Sequence, residues 1–174
     1  MIICSQRLTI RRVAAEDWKS IKGIWENFNS SYYAQYDTPH LIDDENVRAR
    51  IARWANFSDS IEHIFFAVCL NSELIGYIAF NIRENSHEIG YCFHSDYHGN
   101  GYAKVSLLVV FDYLRTLGIN KFTAGTAINN KSSVALLKSL GFKLTGTDNI
   151  SFYKDENGND IIFQGGNFLL DLSK

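Results

Sequence analysis

Three apolar runs, EHIFFAVCL, ELIGYIAFNI and HEIGYCF, follow one another between Glu62 and Phe93, with short polar breaks signalled by Asn71-Ser72 and Asn85-Ser86. A parallel pair of strands needs a crossover of about a dozen residues, so breaks this short admit only antiparallel hairpins. The sequence therefore predicts a three-stranded meander around which everything else must pack. Directly after it comes HSDYHGNGYAKVSL, His94 to Leu107, where two glycines separate an apolar strand from an apolar helix.

Other periodicities flank the meander. Leu8, Ile10 and Arg12 alternate with Arg7, Thr9 and Arg11 as a first strand, and Ala14 to Phe28 places Trp18, Ile21, Ile24, Trp25 and Phe28 at helical spacing. SSYYAQYDTPHLI, which holds the only proline, Pro39, reads as an aromatic loop. Asp43 or Asp44 can cap a second helix with Val47, Ile51 and Trp54 or Ala55 on its apolar face. Tyr102 to Leu117 reads as a third helix stopped by Gly118, and NKFTAGTAI as a short strand. Ser132 to Leu140 is a fourth helix stopped by Gly141, and GFKLTGTDNISFYK and NDIIFQGGNFLLDL form a last hairpin at Asn157-Gly158. The expectation is one α+β domain over residues 1–174, with about seven strands and about four helices.

Charge removes one class of function. Seventeen Lys+Arg against 19 Asp+Glu give a net charge of −2 without any like-charge block, so the electrostatic footprint of a nucleic-acid binder is absent. The three cysteines, Cys4, Cys69 and Cys92, contain no CxxC pair and suggest neither a disulfide framework nor a zinc knuckle. His40, His87 and His94 lack metal-ligand spacing, so no metal is expected. No leader-like segment and no run of about 18 apolar residues is present, and a cytoplasmic protein that does not enter membranes is expected.

Gly99 and Gly101 lie where a strand gives way to a helix. Unpaired N–H groups of the loop and of the first helical turn converge there, with the positive end of the helix dipole behind them, which suits a pyrophosphate. A plain strand-to-helix turn is the alternative. The stretch lacks the GK[ST] of a P-loop, and its strand belongs to a meander rather than to a βαβ unit, so neither a nucleoside triphosphate nor a dinucleotide is the natural ligand.

HEIGYCFHSDYHGNGYAKVSLLVVFDYL, together with INNKSSVALLKSLGFKLTG, resembles the GNAT superfamily of acyl-CoA-dependent N-acetyltransferases, and within it the Rim-type branch that acts on ribosomal-protein N-termini. The similarity spans nearly the whole chain, with RLTIRRVAAEDW like that branch's opening strand and helix and IDDENVRARIARW like its second helix. Gly101 and Ala103 match the phosphate motif Gln/Arg-x-x-Gly-x-Gly/Ala with Gly99 inside it, and His98 occupies its first position in place of the usual Gln or Arg. Asn130, Ser133, Leu140, Gly141 and Phe142 match a later Asn-x-x-Ser and Leu-Gly-Phe signature.

The resemblance implies a mostly antiparallel, twisted sheet that splays open between its fourth and fifth strands, with acetyl-CoA in the V and no metal. Backbone of Tyr91, Cys92 and Phe93 would pair with the pantetheine arm. His98, Gly99, Asn100, Gly101, Tyr102 and Ala103 would surround the pyrophosphate, and Asn130 and Ser133 would also contact the cofactor. Amine attack on a thioester needs a base, an oxyanion donor and an acid for the thiolate. The resemblance offers Glu88 as base, the N–H of Phe93 as oxyanion donor and Ser133 as acid, because the tyrosine common in the superfamily is here Leu137. By local rules alone, Glu88 is equally an exposed strand charge and Ser133 a helix-start hydroxyl.

Tyr32, Tyr33 and Tyr36 would line the acceptor cleft or pack beneath a lid. The implied activity is transfer of acetyl to a primary amine, foremost a protein or peptide α-amine. A small-amine acetyltransferase acting on a polyamine, amino acid or antibiotic, and a non-catalytic acyl-CoA-binding domain, remain open, as does a monomer or homodimer.

Overall fold

A computed structural model describes every residue except Met1, Gln6 and Lys174. The elements are β1 (Ile2–Cys4), β2 (Leu8–Arg12), α1 (Trp18–Asn29), α2 (Asp44–Ala55), β3 (His63–Leu70), β4 (Glu73–Arg83), β5 (Ser86–Phe93), α3 (Tyr102–Thr116), β6 (Lys121–Ala127), α4 (Lys131–Ser139), β7 (Lys143–Lys154) and β8 (Asp160–Asp171). Short 3₁₀ turns at Ala15–Asp17, Tyr32–Tyr36 and Ser95–Tyr97 join some of them.

The strands form one eight-stranded sheet in the order β1-β2-β3-β4-β5-β6-β8-β7. The extra strand relative to the expected seven is β1, whose Ile2, Ile3 and Cys4 pair with Arg11, Ile10 and Thr9. Three residues are too few to carry a readable alternation, which is why the sequence pattern misses an edge strand of this length. The meander forms as expected, with Asn71 and Ser72 both at positive φ in the tight β3–β4 turn. The next turn falls at Glu84-Asn85, one residue earlier than the sequence suggests: Glu84 takes the left-handed conformation and Ser86 already belongs to β5.

Both faces of the central strands are covered, so β3 reads as a continuous apolar run. Ile64, Phe66 and Val68 enter the larger core under α3 and α4, while Phe65, Ala67 and Cys69 enter a second core with Ile21, Ile24 and Trp25 of α1 and Val47 and Ile51 of α2. Asp43 caps α2 by accepting the Asn46 N–H at 3.0 Å. Arg11 on β2 makes a two-bond pair with Asp17, both bonds 2.7 Å, which fixes the entry into α1. Among the described residues no helix is long and apolar enough to cross a membrane.

All neighbouring strands are antiparallel except β5 and β6. That parallel pair keeps only two register positions, His87 with Phe122 and Glu88 with Thr123, before the strands diverge. β4 meanwhile follows β5 to Phe93, and β8 follows β6 to Ala127. The sheet is therefore split from Ile89 onward.

Candidate active site

The split opens a cavity of about 740 Å³. One wall is β5 from Ile89 to Phe93, and the other is β6 from Ala124 to Ala127 with the start of α4. The glycine loop and the first turn of α3 also line it, as do Tyr33, Tyr36 and Asp37 and, from β7, Asp148, Ile150 and Phe152.

Strand geometry decides what β5 offers to this space. The N–H of His94 is spent on the Ile75 carbonyl of β4 at 3.0 Å. Successive residues of a strand direct their backbone groups to opposite edges, so those of Phe93 and Tyr91 face the cavity. The Phe93 carbonyl on that edge accepts a 2.9 Å bond from His98 Nε2, which fixes the tautomer as the one protonated at Nε2. His98 thus ties the glycine loop to the strand through its side chain, a use compatible with its departure from Gln or Arg. Its ring also meets Tyr33 edge-on at 5.9 Å.

Gly99 and Gly101 have φ of +75° and +76°. Added β-carbons would meet nothing within 4 Å, so glycine is required here by backbone conformation and not by crowding. Gly101 is the N-cap of α3, so the first N–H groups of that helix start at the cavity, which Lys104 also lines. Asn100 lies outside the cavity wall: its side chain donates to the His98 carbonyl at 3.0 Å, and its own carbonyl accepts from Arg7 at 3.4 Å.

At the start of α4, Asn130 Oδ1 accepts the Ser133 N–H at 3.2 Å. The helix cap is thus Asn130, and the Ser133 hydroxyl goes instead to Tyr91 Oη at 2.7 Å. Burial raises the Tyr91 pKa, an effect partly offset by that bond. Leu137 lines the cavity at the place of the absent tyrosine and is buried. Cys92 is also in the wall, and burial, with a smaller contribution from the nearby Asp37 charge, pushes its thiol up to about 12.

The tyrosines separate by position. Tyr33 and Tyr36 line the cavity, whereas Tyr32 is 70% exposed and holds Tyr36 through a 3.0 Å hydroxyl contact. Tyr33 Oη lies 2.9 Å from Ser132 Oγ, and Tyr153 Oη donates to the carbonyls of Ala34 and Asp37 at 2.7 and 2.8 Å. These bonds fasten the 31–37 segment over the cavity. Glu88 is not in the wall. Its carboxylate receives Arg83 Nε at 2.9 Å, and 44% of its side chain remains exposed. Among the described residues no group of His, Cys, Asp and Glu is arranged to hold a metal ion.

Sequence reasoning passed over Asp37, at the end of the Tyr32–Tyr36 turn, and Asp148 with the other β7–β8 residues, which reach the cavity because β7 and β8 lie beyond β6 in the sheet. Tyr91 Oη could have been found: Ile89 and Phe93 are apolar and inward, so strand alternation sends Tyr91 the same way.

Residues 7–143 match the model of the acetyltransferase (GNAT) domain. The uncharacterized N-acetyltransferase YnaD of Bacillus subtilis (strain 168) is 27% identical over 151 residues, 84% of this chain and 85% of that protein. The structure of RimL, a ribosomal L7/L12 α-N-protein acetyltransferase in complex with coenzyme A, superposes with a TM-score of 0.84 at 19% identity over 99% of this chain and 98% of RimL. The microcin C7 self-immunity acetyltransferase MccE, in complex with acetyl-CoA and AMP, gives 0.79 at 15% identity over 96% and 93%. With its split sheet, its glycine loop at the start of α3 and a domain match over most of its length, the chain belongs to the GNAT acetyltransferase family.

Proposed function

We propose that this chain transfers acetyl directly from acetyl-CoA to the α-amine of a protein or peptide. The observation that carries the reading is the divergence of β5 from β6 after Glu88, which leaves a row of strand backbone groups beside a helix N-terminus in one cavity. The resemblance of RimL in fold and the Rim-type pattern of Asn130 and Ser133 support the choice of a protein α-amine.

The cavity lining carries both signs of charge: Lys104 with the glycine loop suits the phosphates of CoA, and the carboxylates of Asp37 and Asp148 suit an incoming ammonium. In this reading backbone of Tyr91 and Phe93 holds the pantetheine, the Cys92 backbone groups being turned to β4 instead, and Gly99, Gly101, Tyr102 and Ala103 hold the pyrophosphate, without Asn100. The Phe93 N–H stabilises the oxyanion, and Ser133, polarised by Tyr91, protonates the departing thiolate. Asn130 keeps its amide NH₂ for the pantetheine while its oxygen caps α4.

A thiol-release screen with acetyl-CoA against N-terminal peptides, polyamines and aminoglycosides tests the reading. Release with peptides at the highest kcat/KM is expected. A polyamine or aminoglycoside preferred over every peptide would assign a small-amine acceptor, and acetyl-CoA binding without release in any case would assign a non-catalytic binder.

A further inference from the structure

We infer that Asp37 is the group that receives the acceptor's ammonium and takes its proton. The inference rests on the reading above, that an amine attacks a thioester lying in the split between β5 and β6.

Asp37 closes the 3₁₀ turn of Tyr32–Tyr36 in an extended conformation. Its backbone carbonyl is held by Tyr153 of β7 at 2.8 Å, and its Oδ1 accepts the Thr38 N–H at 2.7 Å. The first bond anchors the backbone at Asp37, and the second engages one carboxylate oxygen. Among the described residues, Oδ2 takes no hydrogen bond, so one carboxylate oxygen remains for a ligand. The side chain is accessible, but what it borders is the cavity.

The groups that face Asp37 come from four elements. Arg50 of α2 acts on it electrostatically, while its guanidinium is engaged over the Trp25 and Trp54 rings at 4.7 and 5.4 Å. Cys92 of β5, Tyr77 of β4 and Tyr153 of β7 all feel the Asp37 charge. Cys92 sits on the strand that would carry the thioester, and Asp37 lines the same cavity near enough for its charge to act on that residue. Although the residue is accessible, partial desolvation of its carboxylate raises the Asp37 pKa above the usual 3.8, against smaller opposing effects of the Thr38 N–H and Arg50. A carboxylate made more basic in this way is better matched to an ammonium. Glu88, by contrast, is engaged with Arg83 outside the wall.

The proton count closes. The ammonium R–NH₃⁺ gives one proton to Asp37, and the freed lone pair forms the N–C bond at the thioester carbon. As the tetrahedral intermediate collapses, the C–S bond breaks, and the thiolate takes the second N–H proton by way of Ser133. Asp37 returns the first proton to solvent. The sum is R–NH₃⁺ and acetyl-CoA going to the amide, CoA–SH and H⁺.

The test compares wild-type protein with Asp37→Asn and Asp37→Glu, using glycinamide and spermidine as probe amines and acetyl-CoA affinity by calorimetry as an independent readout. Asp37→Asn should lose roughly 10²-fold in kcat/KM toward the amine that wild type turns over, with acetyl-CoA affinity unchanged and the acidic limb of the pH–rate profile gone. Asp37→Glu should recover part of the rate. Full rate and an intact acidic limb in a folded Asp37→Asn protein would overturn the assignment, as would wild-type protein that binds acetyl-CoA yet turns over neither amine. Wild-type protein that fails to bind acetyl-CoA would instead overturn the function itself.

Discussion

Tyr91 Oη and Ser133 Oγ meet at 2.7 Å across the open split of the sheet, one carried by β5 and the other by the first turn of α4. The contact joins the two walls that otherwise diverge. It also sets a hydroxyl pair in the cavity that Leu137 lines without any proton to give.

If that pair protonates the thiolate, Ser133→Ala should lower kcat by roughly 10²-fold while acetyl-CoA affinity barely moves. Tyr91→Phe should fall between the variant and wild type, because Ser133 keeps its hydroxyl but loses its partner. Single-turnover kinetics measure both. An unchanged chemical step in Ser133→Ala would assign the acid elsewhere or show that the thiolate leaves unaided.

Gly101 gives a prediction about binding alone. Its φ of +76° makes any side chain costly, and alanine there should destabilise the fold by about 1 kcal/mol or somewhat more. Gly101→Glu adds a negative charge at the start of α3, where the phosphates would sit. Calorimetry should find acetyl-CoA binding severely weakened in Gly101→Glu and largely retained in Gly101→Ala. Equal affinity in both folded variants would move the phosphates to another site.

The buried thiol of Cys92, pushed up to about 12, stays protonated at neutral pH and is a poor nucleophile. Cys92→Ala should keep its catalytic rate within a few-fold. Trapping of a radiolabelled acetyl group on this cysteine without acceptor would contradict direct transfer.

His40 supplies a pH test of the fold. Its ring is stacked on Trp25 at 4.9 Å, and burial, then the Arg50 charge, lower its pKa from 6.5 to about 4. The unfolded chain therefore binds a proton in that interval that the folded chain refuses. Stability from this group is complete above pH 6.5 and is lost as pH falls toward about 4. Asp37, with its raised pKa, works in the opposite sense. Urea midpoints between those two pH values should fall on acidification in wild type and fall less in His40→Phe, which preserves stacking. Identical slopes would contradict a buried, neutral His40.

Much of this arrangement can be read from the residues. The short breaks of the meander leave β3, β4 and β5 no topology but antiparallel, and the glycines at 99 and 101 mark the start of α3 because few other residues tolerate φ near +75°. What the sequence hides is contact between distant segments. Nothing local links Asp37 to Tyr153, since their bond depends on β7 lying beyond β8 in the sheet. Nothing around the Ile-Gly-Tyr of β5 shows that Arg83 reaches Glu88 across the Glu84-Asn85 turn. β1 is too short to announce itself.

The central claim is that an amine receives acetyl in this cavity, and mass spectrometry of the acceptor is its most direct measurement. Peptides with a free N-terminus and an internal lysine, incubated with acetyl-CoA and wild-type protein, should gain one acetyl group located on the α-amine, and Gly101→Glu protein should leave them unchanged. Peptides that gain no acetyl under conditions where the protein binds acetyl-CoA, or that gain it equally with the Gly101→Glu variant, would contradict the account.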